Sequence, residues 1–262
     1  MSVVILQDEI VHYEVLGRGR PLIFLHGWVG SWRYWIPTMQ AVSITFRAYA
    51  LDLWGFGDTA KEASRYSITE QTNLVVEFMD KMGLAKVALV GHGLGALVAL
   101  NYAIQHVEAV DRLMVINSPL GSDTVNPRLR SASPAELAEW LLGRIPTAEA
   151  ARIEVPKTDP KSITMSLDSL HEMDMLRLSM QINTSCLFVY GQNDPALTVP
   201  SYEVFTTLPE RTHQILLEQS GHFPMLEESS KFNRLLADFL SLPSGVSPRQ
   251  LQLKEEWKRR VR

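Results

Sequence analysis

Short, wholly apolar runs recur along the chain, and each ends in a polar or glycine-rich turn. Residues 22–25 (Leu-Ile-Phe-Leu) and 87–90 (Val-Ala-Leu-Val) contain no polar position. Such runs mark strands buried on both faces of a parallel sheet. Residues 3–6, 11–16, 47–51, 113–116, 186–190 and 214–217 are further expected strands. Between them lie segments with helical spacing. Leu74, Val75, Phe78, Met79 and Met82 share one face of a helix that Ser67 or Thr69 caps and Gly83 ends. Ser31 caps another that runs to about residue 42. A third runs through about residue 106, and 231–240 form a closing helix. Alternating strands and helices predict right-handed crossovers and an α/β fold: a mostly parallel, eight-stranded sheet covered on both faces.

Residues 121–182 break that alternation. They contain five prolines, Pro127, Pro134, Pro146, Pro156 and Pro160, among helical pieces at 135–142 and 163–170. The segment enters between two strands on the carboxyl-end side of the sheet, where open α/β sheets bind ligands. It reads as a helical cap. The expected division is a core at 1–120 and 183–242, the cap at 121–182, and a linker with a short basic C-terminal helix at 243–262. Leu253, Trp257 and Val261 give that helix one apolar stripe, expected to dock on the chain's own surface or on a neighbouring subunit. A homodimer is left open.

Composition narrows the class. With 262 residues, 46% of them hydrophobic, the chain can bury one large core. A net charge of -4 argues against a nucleic-acid partner. Asp8 and Glu9 stand where a secretory leader would be basic or apolar. No run reaches the roughly 18 apolar residues of a membrane span. A soluble, cytoplasmic protein is expected. Cys186 is the single cysteine, inside an apolar run, and reads as a reduced core thiol.

The candidate chemistry lies at the strand ends. Residues 91–95 read Gly-His-Gly-Leu-Gly between a strand and a helix. A nucleophile elbow has the form G-x-S-x-G, with the serine at the apex of a strained turn. Here the apex is Gly93, which has no side chain. His26-Gly27-Trp28 follows the strand at 22–25. In such a setting the Trp28 and Leu94 N–H groups point at a developing oxyanion. Asp194 and His222 stand just beyond late strands. The chain order is elbow, carboxylate, imidazole.

These stretches, with Asp52-Leu53-Trp54-Gly55-Phe56-Gly57-Asp58 and Gly221-His222-Phe223-Pro224, resemble the α/β-hydrolase superfamily over roughly residues 5–240. The resemblance is nearest to its small, capped carboxylesterase-like branch. It implies that Asp194 and His222 form the charge pair and that Trp28 and Leu94 form the oxyanion hole. The family's serine maps onto Gly93, so that role does not carry over. His92 reads as a structural neighbour of the elbow. His26, Gly27, Ser118 and Trp140 are the expected substrate-binding residues.

No cofactor is expected. The seven histidines show no metal-ligand spacing. The expected partner is a small, largely apolar, ester-like or acyl molecule. Three readings stay open: impaired, non-covalent hydrolysis in which His222 activates water; a ligand-binding protein without catalysis; and an inactivated Ser-to-Gly form of a carboxylesterase. Glycine at the apex should relieve strain of about 1–3 kcal/mol while keeping the turn.

Overall fold

The computed structural model describes residues 2–143, 145–243 and 246–251. In chain order its first half comprises β1 (Ser2–Leu6), β2 (Glu9–Gly17), β3 (Arg20–Leu25), α1 (Ile36–Val42), β4 (Phe46–Leu51), α2 (Ile68–Met82), β5 (Val87–His92), α3 (Leu94–Gln105) and β6 (Val110–Ile116). The interval before the next strand holds α4 (Arg128–Ser131), α5 (Pro134–Leu142), α6 (Glu149–Arg152), α7 (Pro160–His171) and α8 (Met175–Ser179). Then come β7 (Ser185–Gly191), α9 (Tyr202–Thr206), β8 (Thr212–Leu217), α10 (Pro224–Glu227) and α11 (Ser229–Ser241).

The strands form one eight-stranded sheet in the order β1-β2-β4-β3-β5-β6-β7-β8. β2 pairs antiparallel with β1 and β4, and every pair from β4 to β8 is parallel. A parallel sheet puts the carboxyl ends of its strands on one edge. Residues Leu22 to Leu25 and Val87 to Val90 are fully or almost fully buried, as their composition requires. Cys186 is buried within β7, and burial pushes its thiol pKa well up.

Element types agree with the sequence expectation, and several boundaries shift for identifiable reasons. β6 begins at Val110, three residues before the apolar run, although it then includes Asp111 and Arg112. Arg112 is tolerated there because Asp111 and the Phe239 and Leu242 carbonyls take its guanidinium at 2.8–3.0 Å. Ser31 does cap, accepting from the Arg33 N–H at 3.2 Å, but the first turn, Trp32–Trp35, is a 3-10 helix that precedes α1. Ser67 caps α2, and Gly83 ends it. No helix among the described residues is long and apolar enough to cross a membrane. The C-terminal stripe of Leu253, Trp257 and Val261 lies outside the described residues.

Candidate active site

Four parallel strands deliver the candidate residues to one edge. β3 leads into His26-Gly27-Trp28, β5 into Gly93, β7 into Asp194 and β8 into His222. Gly93 lies at φ 53°, ψ -112°, at the N-cap of α3. L side chains avoid this backbone region, whereas glycine enters it without a Cβ clash. The Gly93 N–H donates to the Ile116 carbonyl at 2.9 Å, which fixes the turn to β6. Gly95 serves close approach instead. Its N–H donates to the His26 carbonyl at 2.9 Å, and a Cβ there would lie 2.4 Å from the Leu25 oxygen. Elbow and β3 loop are thereby held as one unit.

His222 and Asp194 are brought together. The imidazole Nδ1 lies 3.0 and 2.9 Å from the two Asp194 oxygens, and both side chains are fully buried. Asp194 also accepts from the Ala196 N–H at 2.8 Å. A carboxylate on Nδ1 holds the proton there and leaves the lone pair on Nε2. That Nε2 is buried and has no hydrogen-bond partner. An orphaned buried imidazole nitrogen calls for an explanation, and a catalytic or ligand-binding role is one.

The backbone of His222 is pinned from three directions. Glu227 accepts from the N–H groups on either side of it, Gly221 at 2.6 Å and Phe223 at 2.8 Å. The His222 carbonyl accepts from Asn117 Nδ2 at 2.9 Å and from His92 Nε2 at 2.8 Å. Asn117 also donates to the Gly221 carbonyl and accepts from the Gly191 N–H, so it ties together the ends of β6, β7 and β8. Its φ of 43° is one that asparagine tolerates better than most residues.

His92 is committed to this scaffold. Burial, followed by the neighbouring His222, holds its pKa well below the ordinary value, so the ring is neutral. Its Nε2–H donates to the His222 carbonyl, and Nδ1 accepts from the Tyr34 hydroxyl at 2.9 Å. Tyr34 in turn accepts from the Gly27 N–H at 2.7 Å. Burial raises the Tyr34 pKa, keeping it a donor. One directional chain therefore runs from the β3 loop to the backbone of His222.

The other expected residues divide. The Trp28 and Leu94 N–H groups have no acceptor in the hydrogen-bond network among the described residues. The Trp28 indole is fully buried and donates to Ser166 Oγ on α7 at 3.0 Å. His26 is spent on backbone: Nδ1 faces the Gly27 carbonyl at 2.8 Å, and Nε2 accepts from the Leu53 N–H at 3.0 Å. No ring nitrogen is left for a ligand. Ser118 is buried with its hydroxyl turned to the adjacent Pro119 carbonyl. Trp140 is half-buried on α5, and its ring contact is with the Arg128 guanidinium at 4.8 Å, not with the His222 cluster. Asn117, Tyr34, Glu227 and Ser166 were not foreseen as site residues. Only Asn117 carried a signal, as an asparagine that ends a strand ahead of Ser-Pro.

Among the described residues, one cluster has metal-ligating side chains. Atoms of His12, Asp52 and Asp58 lie within 4.8 Å of one another. They are already paired: His12 Nδ1 with Asp52 at 2.8 Å, Asp52 with the Trp32 and Asp58 N–H groups, and Asp58 with Lys157. This is an internally satisfied knot beneath the β4 turn.

The assembled site offers an oriented imidazole with a free nitrogen, two backbone donors and no side chain at the elbow apex. An imidazole with a free nitrogen can polarise water, and residue 93 supplies no covalent nucleophile.

Comparison with known proteins places the chain. A family model described as alpha/beta hydrolase fold matches residues 20–158. The pimeloyl-[acyl-carrier protein] methyl ester esterase of Vibrio vulnificus is 24% identical over 87% of this chain and 97% of its own length. The putative carbamate hydrolase RutD of Yersinia enterocolitica is 23% identical over 94% of this chain and 97% of its own. A crystal structure of a Ser-to-Gly mutant of the N-acyl homoserine lactonase AidH, complexed with N-hexanoyl homoserine lactone, aligns with a TM-score of 0.79 at 18% identity. It covers 91% of this chain and 96% of that one. The matched stretch spans β3, the elbow, β6 and the helical segment as far as residue 158, so the chain belongs to the alpha/beta hydrolase fold family.

Proposed function

We propose that this chain is an esterase-like hydrolase whose elbow serine position is held by Gly93, and that it acts on a small, largely apolar ester or acyl compound through water. The observation that carries the reading is the buried, unpartnered Nε2 of His222 with Asp194 on its other ring nitrogen. The imidazole takes a proton from water as that water attacks the carbonyl. The Trp28 and Leu94 N–H groups hold the resulting oxyanion. The proton then passes from His222 to the leaving alkoxide. No acyl-enzyme forms, so there is no burst. The residues at 121–182 act as a cap over this edge. The likeness to a methyl ester esterase and a carbamate hydrolase supports an acyl substrate.

Hydrolysis of p-nitrophenyl butyrate by the wild-type chain, His222→Ala and Gly93→Ser tests this. Slow, burst-free turnover that His222→Ala abolishes supports it. Turnover that survives His222→Ala overturns it. A second reading, ligand binding without turnover, draws on the sealed site, where Trp28 and His222 are both shut away from solvent. It requires wild-type turnover to equal the buffer rate while a small acid or ester raises Tm.

A further inference from the structure

The Trp28 side chain stands between the elbow and the helical segment. A Cβ at residue 93 would lie 3.2 and 3.3 Å from its Cε3 and Cζ3, so the indole closes the space directly above the apex. At the other end, its Nε1–H donates to Ser166 Oγ at 3.0 Å. Ser166 is buried on α7 and donates onward to the Ile163 carbonyl at 2.9 Å. Trp28, Leu94, Gly93 and His222 are all buried, and His222 Nε2 has essentially no solvent-exposed surface. Solvent therefore does not reach His222 Nε2 in this arrangement, in which the indole packs against residue 93.

We propose that the Trp28 indole is the access-determining residue of this site. It is a plug tied to α7 through Ser166, and it must swing off Gly93 before any ligand meets His222. A Cβ at residue 93 would press on this plug, and the ring would have to give by a few tenths of an ångström. Its role for ligands rests on the functional reading above, but its motion is measurable without any substrate.

Diethyl pyrocarbonate acylates unprotonated imidazole nitrogens that solvent reaches. Labelling at each histidine is read by peptide mass spectrometry at pH 7 on the full chain. His171 is exposed and serves as the fast reference. His26 and His92 have both ring nitrogens committed and report opening of the core. In the wild-type chain His222 is expected to react far more slowly than His171. Ser166→Ala removes the tie and should speed His222 by about five-fold, the worth of one neutral hydrogen bond. Trp28→Phe, which keeps an aromatic ring but loses Nε1–H, should do at least as much. His26 and His92 should stay protected in both variants. The proposal is overturned by any of three results: His222 as reactive as His171 in the wild type, no change in either variant, or a parallel rise at His26 and His92. Because no ester is used, failed hydrolysis would leave this result standing, and the reverse holds too.

Discussion

Asp194 faces His222 Nδ1 with both carboxylate oxygens, at 3.0 and 2.9 Å, inside a shell that excludes solvent from both groups. This sets the tautomer. An amide in place of the carboxylate would donate to Nδ1 and move the proton to Nε2, where it blocks base catalysis. Asp194→Asn is therefore expected to cut turnover by up to about 10⁴, the size of the equivalent loss in serine proteases. The assay is best made in the Gly93→Ser background, where the proposed function expects a covalent route with higher rates. A loss below ten-fold would mean that the pair is structural.

Glycine at 93 answers two separate pressures, and a double-mutant cycle separates them. Gly93→Ala puts an L side chain at φ 53°, at about 1–3 kcal/mol. It also brings a Cβ to 3.2 Å from the Trp28 ring. Trp28→Leu removes the atoms concerned but leaves the backbone strain. The strain cancels in the cycle, and the clash remains as a coupling of about 0.5–3 kcal/mol. Urea denaturation of the four proteins measures it. Additive effects would show that the ring yields freely.

Asn117 is the residue on which three strand ends converge. Asn117→Ala takes the partner from the buried Gly191 N–H and one donor each from the Gly221 and His222 carbonyls, the latter keeping His92, and a single buried orphan costs about 1–3 kcal/mol. A Tm loss is expected together with a fall in kcat in the Gly93→Ser background, because the His222 carbonyl loses an anchor. A normal kcat in a destabilised protein would limit Asn117 to holding the fold.

Acid should weaken the fold through its buried histidines. His26, His92 and His213 have pKa values lowered by burial, the largest cause in each. Near pH 6.5 the unfolded chain takes up protons that these folded rings refuse. Stability is complete above that pH and falls below it, by up to about 1.4 kcal/mol per pH unit for each ring. His12 runs the other way. Burial opposes its charge, but Asp52 and Glu14 prevail and raise its pKa. Its contribution is present below pH 6.5 and fades as pH rises through the folded value. Three against one, the urea midpoint should drop between pH 7.5 and 5.5. His92→Gln retains a donor for the His222 carbonyl and an acceptor for Tyr34, and should flatten that slope. An unchanged slope would remove His92 from the account.

Much of this architecture is readable along the chain because it is local. Leu22 to Leu25 and Val87 to Val90 announce buried strands by having nothing polar to expose, and Asp194 and His222 follow strands within a few residues. The supports of His222 are not local. Asn117 reaches it across 105 residues and His92 across 130, and no spacing rule encodes such a reach. His26 and Trp28 show the other limit. Their positions in the motif were legible, but the imidazole serves the backbone and the indole serves α7, because a residue's place in a turn does not set where its side chain ends.

The helical segment is also joined to the core by charge. Glu154 is 2% exposed and accepts from Arg33 Nε at 2.8 Å. Lys157 bridges Glu154, at 3.1 Å, to Asp58 at 2.9 Å, and the pairing lowers the Asp58 pKa and raises that of Lys157. Glu154 is the buried centre, and Arg33 and Lys157 are each about a third exposed. Removing a buried partner leaves the others uncompensated, at about 3–5 kcal/mol, and the exposure of the two cations favours the low end. Glu154→Ala should therefore cost about 3 kcal/mol. Lys157→Ala, which removes a partly exposed cation, should cost about 1 kcal/mol or less. Urea midpoints for the two variants decide it. Equal, small losses would mean that the segment is held by its apolar contacts and that this ion network only decorates the joint.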